Sequence, residues 1–288
     1  CAESVTAGLL ITVPAAIVYA EGGWSGAYDG TTAVEISADY TIEEDLEVCS
    51  CRVTDNAIVT VEGEVNFTIH DKLTVDPGSE VIFGNKASLL QTENVQNSGD
   101  VSIMRTSSMI MRLDYTIWSS PVIGQQLQAF SPATLSNRFY TYNTFTDAYS
   151  AHDPLEGFET AKGYLIRVAN NHPATVPTAW TGTFAGQPHN GIVTRALTYY
   201  TPGEVPGNDN EGEDPQLRSA SFNAVGNPYP SPIDVNDFFD ANQDLISEQL
   251  WFWRKTNNSA ESSYCTLTRF AFNANSAPGG TNDFAVDP

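Results

Sequence analysis

The chain has 288 residues and a net charge of −22, from 13 Lys+Arg against 35 Asp+Glu. That balance argues against a nucleic-acid binder working through clustered Lys/Arg, and against a protein held to anionic lipid by a polybasic surface. With 41% hydrophobic residues and only 17% charged, the chain is not of the disordered type, and at this length it can bury roughly 75% of its unfolded surface in one large or two modest domains.

The sequence begins at Cys1 rather than Met, which reads as a mature form or a fragment, with Cys1 a candidate for lipidation. The apolar run from Gly8 to Tyr19 is broken by Thr12 and Pro14. It falls short of the roughly 20 residues that span a bilayer and reads as strand, turn, strand. Short β-branched runs follow at Ala33–Ile36, Leu46–Val48, Ala57–Val61, Val65–Ile69, Lys72–Val75, Glu80–Phe83, Ser88–Leu90 and Val101–Ile103. Each alternates apolar and polar positions, the period of a half-buried strand. Thr54-Asp-Asn56, Glu62-Gly63, Asp76-Pro-Gly78 and Gly84-Asn85 separate them; Gly and Asn tolerate positive φ, and Pro presets a turn.

A run roughly every eight residues fits a β-meander or a short right-handed parallel β-solenoid. The phrases Ile58-Val-Thr-Val61, Phe67-Thr-Ile69, Leu73-Thr-Val75 and Val81-Ile-Phe83 are near-copies. Near-copies favour stacked rungs, about five or six of them, over residues 1–110.

Residues 111–288 hold 25 of the 31 aromatic residues, so their core chemistry differs and they form the second expected domain. Strands are expected at Arg138–Tyr142, Gly163–Val168, Ala179–Phe184, Gly191–Val193, Ala196–Tyr200, Ser221–Val225, Leu250–Trp253 and Thr268–Phe272, after an opening segment Leu113–Val122. Gly/Pro/Asn punctuation between them predicts an antiparallel β-sandwich. One short helix is expected from about Ser231 to Asn242, with Ser231 as N-cap, Pro232 at N1 and Asp234 in the first turn. The overall expectation is an all-β chain: parallel solenoid, then antiparallel sandwich with one helix. Trp118 is expected to pack where the two parts meet.

The four cysteines, Cys1, Cys49, Cys51 and Cys265, read as structural. Cys49 and Cys51 share one face of a strand and are unsuited to bond each other. No second Cys pair or His pair completes a zinc site. The acidic segment Asn208-Asp-Asn-Glu-Gly-Glu-Asp214 is a candidate Ca2+ loop through Asn208, Asp209, Asn210, Glu211, Glu213 and Asp214. It lacks the twelfth-position Glu of an EF-hand, and a solvated loop is the alternative. Asp234, Asp237 and Asp240 form a second acidic group on the expected helix. No cofactor is otherwise required.

Four phrases occur in order: Asp114-Tyr-Thr-Ile-Trp-Ser-Ser-Pro-Val122, Gly157-Phe-Glu-Thr-Ala-Lys-Gly-Tyr-Leu-Ile-Arg167, Phe184-Ala-Gly-Gln-Pro-His-Asn-Gly191 and Val225-Gly-Asn-Pro-Tyr-Pro-Ser-Pro-Ile-Asp234. As a set they resemble large, acidic, adhesin-like cell-surface proteins of Bacteroidota exported by type IX secretion. The resemblance spans about residues 20–275. It implies an extracellular, outer-membrane-associated module that meets the secretion machinery during export and neighbouring modules of a longer chain afterwards. The family is poorly characterised, so it implies a location better than an activity.

For chemistry, Gly-x-Ser-x-Gly, His-Glu-x-x-His and phosphate-loop motifs are absent from the sequence. Glu62, Glu64, Asp71 and Asp76 are the acids a solenoid glycosidase would need, but they sit beside turns, where acids are ordinary solvated residues. Trp251 and Trp253 lie on one face of a strand and are candidates to stack on sugar rings with Tyr229; a sandwich core is the alternative. The expectation is a non-catalytic module for adhesion or structural display through glycan or protein contacts. The alternative is a secreted polysaccharide-acting enzyme or its carbohydrate-binding accessory domain.

Overall fold

A computed structural model describes residues 15–199, 221–253 and 264–273. The chain enters through a hairpin of β1 (Ile17–Ala20) and β2 (Gly23–Trp24). Three strands then make each turn of a parallel solenoid. β3 (Ala33–Ile36), β4 (Tyr40–Ile42) and β5 (Leu46–Val48) form one turn; β6 (Ser50–Val53), β7 (Ile58–Val61) and β8 (Asn66–Ile69) the next. β9 (Leu73–Val75), β10 (Glu80–Phe83) and β11 (Ser88–Gln91) complete a third, and β12 (Val101–Ile110) opens a further one. Strands stack in parallel register on three faces: Cys51 on Leu73, Val59 on Val81 and Phe67 on Leu89. The solenoid has about 4 turns rather than the five or six read from the spacing, because three of the short runs are used in every circuit.

The alternation seen in the sequence decides what points inward. Val59, Val61, Phe67, Ile69, Leu73, Val81 and Phe83 are fully buried, while the residues between them face out. The corners are four-residue turns, each closed by a backbone hydrogen bond: Ala57 N–H to Thr54 O, Val65 to Glu62, Ser79 to Asp76 and Ala87 to Gly84. Asp55, Asn56, Glu64 and Lys86 adopt positive φ there. At Gly63 the constraint is space rather than φ: a Cβ would lie 2.9 Å from the carbonyl oxygen of Asn85 in the turn stacked against it. Two of the four candidate acids are paired across turns, Asp76 with Arg52 at 2.7 Å and Glu64 with Lys86 at 2.8 Å. Exposed pairs like these contribute little because solvent screens them, so packing and the ladders carry the solenoid.

Beyond residue 110 come β13 (Tyr115–Trp118), β14 (Val122–Ile123), α1 (Leu127–Phe130), β15 (Phe139–Asn143), β16 (Ala148–Ala151), β17 (Tyr164–Arg167) and β18 (Thr178–Pro188). α2 (Val235–Ala241), β19 (Gln249–Trp253), β20 (Tyr264–Thr268) and β21 (Phe272–Asn273) follow. Strands β13, β17, β15 and β16 form one antiparallel sheet and β19, β20 and β21 another. The long strand β18 instead pairs antiparallel with β12 and with β14, so a six-stranded sheet runs from β4 of the solenoid across residue 110. One buried core is continuous from Val34 to Phe184. Trp118 meets Phe130 at 5.2 Å and Phe184 at 6.2 Å between ring centroids, at the place where the two parts join.

Four local expectations are corrected. The helix starts at Val235 and its N-cap is Asp234, whose carboxylate accepts from the N–H groups of Asn236 and Asp237 at 2.7 and 3.1 Å. Ser231 lies three residues earlier, in the turn where the Asn227 side-chain amide donates to its carbonyl at 2.6 Å. A second, four-residue helix, α1, has no side-chain cap and is held by burial of Leu127 and Phe130. Residues 191–199 and 221–224 form no strands: the Asn223 side chain takes the Thr198 N–H and C=O, both at 2.9 Å, in place of a neighbouring backbone. The run Thr268–Phe272 is not one strand: Thr268 ends β20, Phe272 begins β21, and residues 269–271 turn between them, closed by Thr268 N–H to Ala271 O at 2.8 Å.

Cys49 is disulfide-bonded, Cys51 is a buried free thiol, and Cys265 is buried. Burial pushes the Cys51 thiol up to about 12, which leaves it protonated and unreactive at neutral pH. Cys1 lies outside the described residues.

The core predicts its own test. Phe67→Ala should cost about 3–5 kcal/mol of unfolding free energy in urea denaturation, because a fully buried ring is lost between two stacked turns. Ile58→Ala, at a 43% exposed position of the adjacent strand, should cost less than about 1 kcal/mol.

Candidate functional site

The four sequence phrases that looked distinctive meet in space, against the last complete turn of the solenoid. Gly163 N–H donates to Ala224 O at 3.1 Å and Gly226 N–H to Ala161 O at 3.2 Å, which ties the second phrase to the fourth. Gly226 lies against the first phrase, since a Cβ there would be 2.2 Å from Ser119 Cβ. His189 N–H donates to Pro121 O at 3.0 Å, joining the third phrase to the first.

The same residues then clasp the solenoid. Leu89 N–H donates to Pro230 O at 3.1 Å. The Arg105 guanidinium donates to the carbonyls of Ala87 and Pro230 at 3.0 and 3.2 Å, and to that of Met104. The Asn190 side chain donates to Glu93 O and Val95 O, each at 2.8 Å. Asn97 accepts from Leu73 N–H at 2.9 Å and donates to Pro188 O at 3.1 Å. Tyr229 donates its hydroxyl to Gly191 O at 2.7 Å and accepts from Val193 N–H at 3.2 Å, while its own N–H is held by Asn227 Oδ1.

These contacts leave a cleft of about 350 Å3 bordered by Gln91, Thr92, Asn94, His189, Tyr229 and Ser231, among others. Half of the lining residues carry amides or hydroxyls, groups that donate and accept at once. Burial lowers the His189 pKa, so its imidazole is neutral at pH 7. At the rim, three successive turns bring Glu47, His70 and Thr92 into a row. His70 Nε2 lies 2.8 Å from Glu47 Oε1 and Nδ1 lies 3.0 Å from Thr92 Oγ1. Sequence reading missed this row because its members are 23 and 22 positions apart. Only the length of a solenoid turn, known once strands are paired, would have found it.

Of the residues singled out from the sequence, Tyr229 borders the cleft and the two tryptophans do not. Trp251 is 41% exposed, with the Phe222 ring edge-on at 5.0 Å. Trp253 is half-buried: its indole N–H donates to Tyr115 O at 2.9 Å and its ring meets Tyr264 at 5.2 Å. The two share a strand but have different partners. Asn208, Asp209, Asn210, Glu211, Glu213 and Asp214 lie outside the described residues. In the second acidic group, Asp234 caps α2 and Asp240 pairs with Arg269 at 2.9 Å. Among the described residues no three His, Cys, Asp or Glu side chains converge as metal ligands.

A family model matches residues 27–283, across both the solenoid and the antiparallel part. The chain belongs to the family described as "Domain of unknown function (DUF8693)". The match takes in all four phrases and the cleft they build. No curated protein and no solved structure matches the sequence. Among the described residues no helix is long and apolar enough to cross a membrane.

The close approach at Gly226 is testable. Gly226→Ala should destabilise the protein by about 1–3 kcal/mol, because its Cβ would collide with Ser119. Tyr229→Phe, which removes one hydroxyl bridging two backbone groups, should cost about 1 kcal/mol. Thermal denaturation followed by circular dichroism measures both.

Proposed function

We propose that the chain is a non-catalytic extracellular module of a secreted cell-surface protein, serving adhesion or structural display through glycan or protein contacts. The observation that carries this reading is how the side chains at the cleft are used. Tyr229, Asn190, Asn97 and Arg105 bond to backbone atoms and lock the solenoid to the antiparallel part. They leave a rigid, open, polar rim rather than a mobile catalytic group. A rigid rim of amides and hydroxyls with a tyrosine beside it suits hydroxyl-rich ligands, since little ordering entropy is lost on contact. The net charge of −22 suits a cation-rich exterior, and the disulfide at Cys49 suits an oxidising compartment. The resemblance to type IX secretion cargo supplies the cell-surface setting, and with it the secretion machinery and neighbouring modules as partners. Calcium at Asn208–Asp214 belongs to the same reading.

A glycan array probed with the purified chain, with and without Ca2+, tests it. Binding to surface or matrix glycans, weakened about tenfold by Tyr229→Ala, is the expected result. Failure to bind any glycan or to attach to cell or matrix surfaces would remove the adhesion reading. An unchanged melting temperature with Ca2+ would remove the calcium loop.

The Glu47–His70–Thr92 row favours a second reading, a polysaccharide-acting esterase. The carboxylate orients the imidazole, and the imidazole faces a hydroxyl that borders the cleft, the acid–base–nucleophile order of acyl transfer. Against it, Thr92 Oγ1 also reaches His70 O at 3.2 Å, so its proton is shared with a backbone acceptor. If the row is catalytic, the chain releases acetate from acetylated polysaccharide and His70→Ala abolishes the release. If acetate release is at background in the parent chain, this reading is wrong.

A further inference from the structure

A second cleft, of about 290 Å3, opens over the sheet of β13, β17, β15 and β16. Thr141 of β15 is registered opposite Ser150 of β16 on one side and Tyr164 of β17 on the other. Directly opposed residues project to the same face, so two hydroxyls and a buried aromatic ring stand in line. Lys162 and Arg195 complete the lining from above this face. The Lys162 ammonium sits 5.2 Å from the centre of the Tyr164 ring. Both cations are largely enclosed, with 17% and 27% of their side chains exposed.

Their bonding leaves donors to spare. Lys162 bonds to one oxygen of the Glu159 carboxylate, and Arg195 to the other at 3.1 Å and to Thr160 O at 3.0 Å. A single carboxylate therefore serves two cations, and among the described residues Arg195 uses two of its five N–H groups. Lys162, and next to it Arg195, hold the Glu159 carboxyl below its ordinary range, so it stays ionised and competes with a ligand anion for both cations. The Thr141 hydroxyl is buried and makes no hydrogen bond among the described residues. An unanswered buried hydroxyl is unfavourable, and a ligand hydroxyl that reached it would supply the missing partner. At the rim, Phe145 lines the cleft with half of its surface exposed. Tyr142, also in the lining, donates its hydroxyl to Asp147.

We propose that this cleft binds a carboxylate-bearing saccharide of the hexuronate class, its carboxylate on Arg195 and Lys162 and its ring hydroxyls on Thr141 and Ser150. A forked guanidinium with unused N–H groups matches a carboxylate. The two hydroxyls in line match a ring that carries hydroxyls beside its acid group. With 35 acids against 13 bases, the chain repels anions in general, so a local cation pair gives selectivity where the rest of the surface gives none. The saccharide part rests on the proposed glycan contact; the carboxylate part stands apart from it, because variants of Arg195 and Tyr229 read the two clefts separately.

Calorimetric titration of the full chain at low salt with trigalacturonate, galactotriose and triglutamate tests the assignment. Trigalacturonate should bind and galactotriose should bind at least about tenfold more weakly at this site. Arg195→Ala and Lys162→Met should each weaken trigalacturonate about tenfold or more, while Ile58→Ala, on the solenoid surface and in the lining of neither cleft, leaves it unchanged. Glu159→Gln should tighten it about threefold by releasing both cations, a gain that mere loss of structure cannot produce. Added salt should weaken binding. Absence of trigalacturonate binding at millimolar concentration overturns the proposal. So do equal binding of galactotriose at this site, tighter binding of triglutamate, or a folded Arg195→Ala variant with unchanged affinity.

Discussion

Every turn of a parallel solenoid leaves its last strands with unpaired N–H and C=O groups, and that demand organises the rest of this molecule. Within the stack, the next turn answers it, as Val59 answers Val81 and Phe67 answers Leu89. At the end of the stack no further turn follows. An open edge there would be a template for aggregation. The chain answers it differently on each face. On one face β12 is covered by β18, running antiparallel. On another, Leu89 donates to Pro230 O. On the third, Leu73 donates to the side chain of Asn97 and Val75 to the carbonyl of Ser98.

The four distinctive phrases take their form from that closure. Gly226 must be glycine because Ser119 comes within contact of where a side chain would begin. The Asn227 side chain holds Tyr229 N–H and Ser231 O and so fixes the carbonyl of Pro230, which receives both Leu89 and Arg105. Arg105 is a charge spent on three backbone carbonyls rather than on solvent or ligand. The functional surface is what this closure leaves open. One cleft lies along the seam, and another lies on the antiparallel sheet, where Lys162 and Arg195 converge in a chain otherwise short of cations.

Much of the solenoid is legible in the sequence because its signals are local. Period-two alternation buries Val59, Val61, Phe67 and Ile69, and the turn residues between them announce the corners. The helix near residue 235 is legible too, but its first residue is not. Ser231 and Asp234 are both good caps; Ser231 belongs to the turn pinned by the Asn227 side chain, and the helix begins only after it, at Asp234. The strands expected at 191–200 and 221–225 misled for a related reason. Their apolar content suits a strand, yet the Asn223 amide supplies the partner that a second strand would have supplied.

Sequence alone determined an acidic, all-β chain whose first third repeats and whose remainder is aromatic, since charge, composition and alternation are sums over residues and their near neighbours. Tertiary structure decided which residues meet. Glu47, His70 and Thr92 align because a turn of the stack is about 22 residues long. Tyr229 parts from Trp251 and Trp253 because it is bound at Gly191. Thr141, Lys162 and Arg195 share one cleft because antiparallel pairing folds distant strands side by side. Such encounters depend on long-range pairing and on how the end of the solenoid is closed, and neither is written in any short window of the chain.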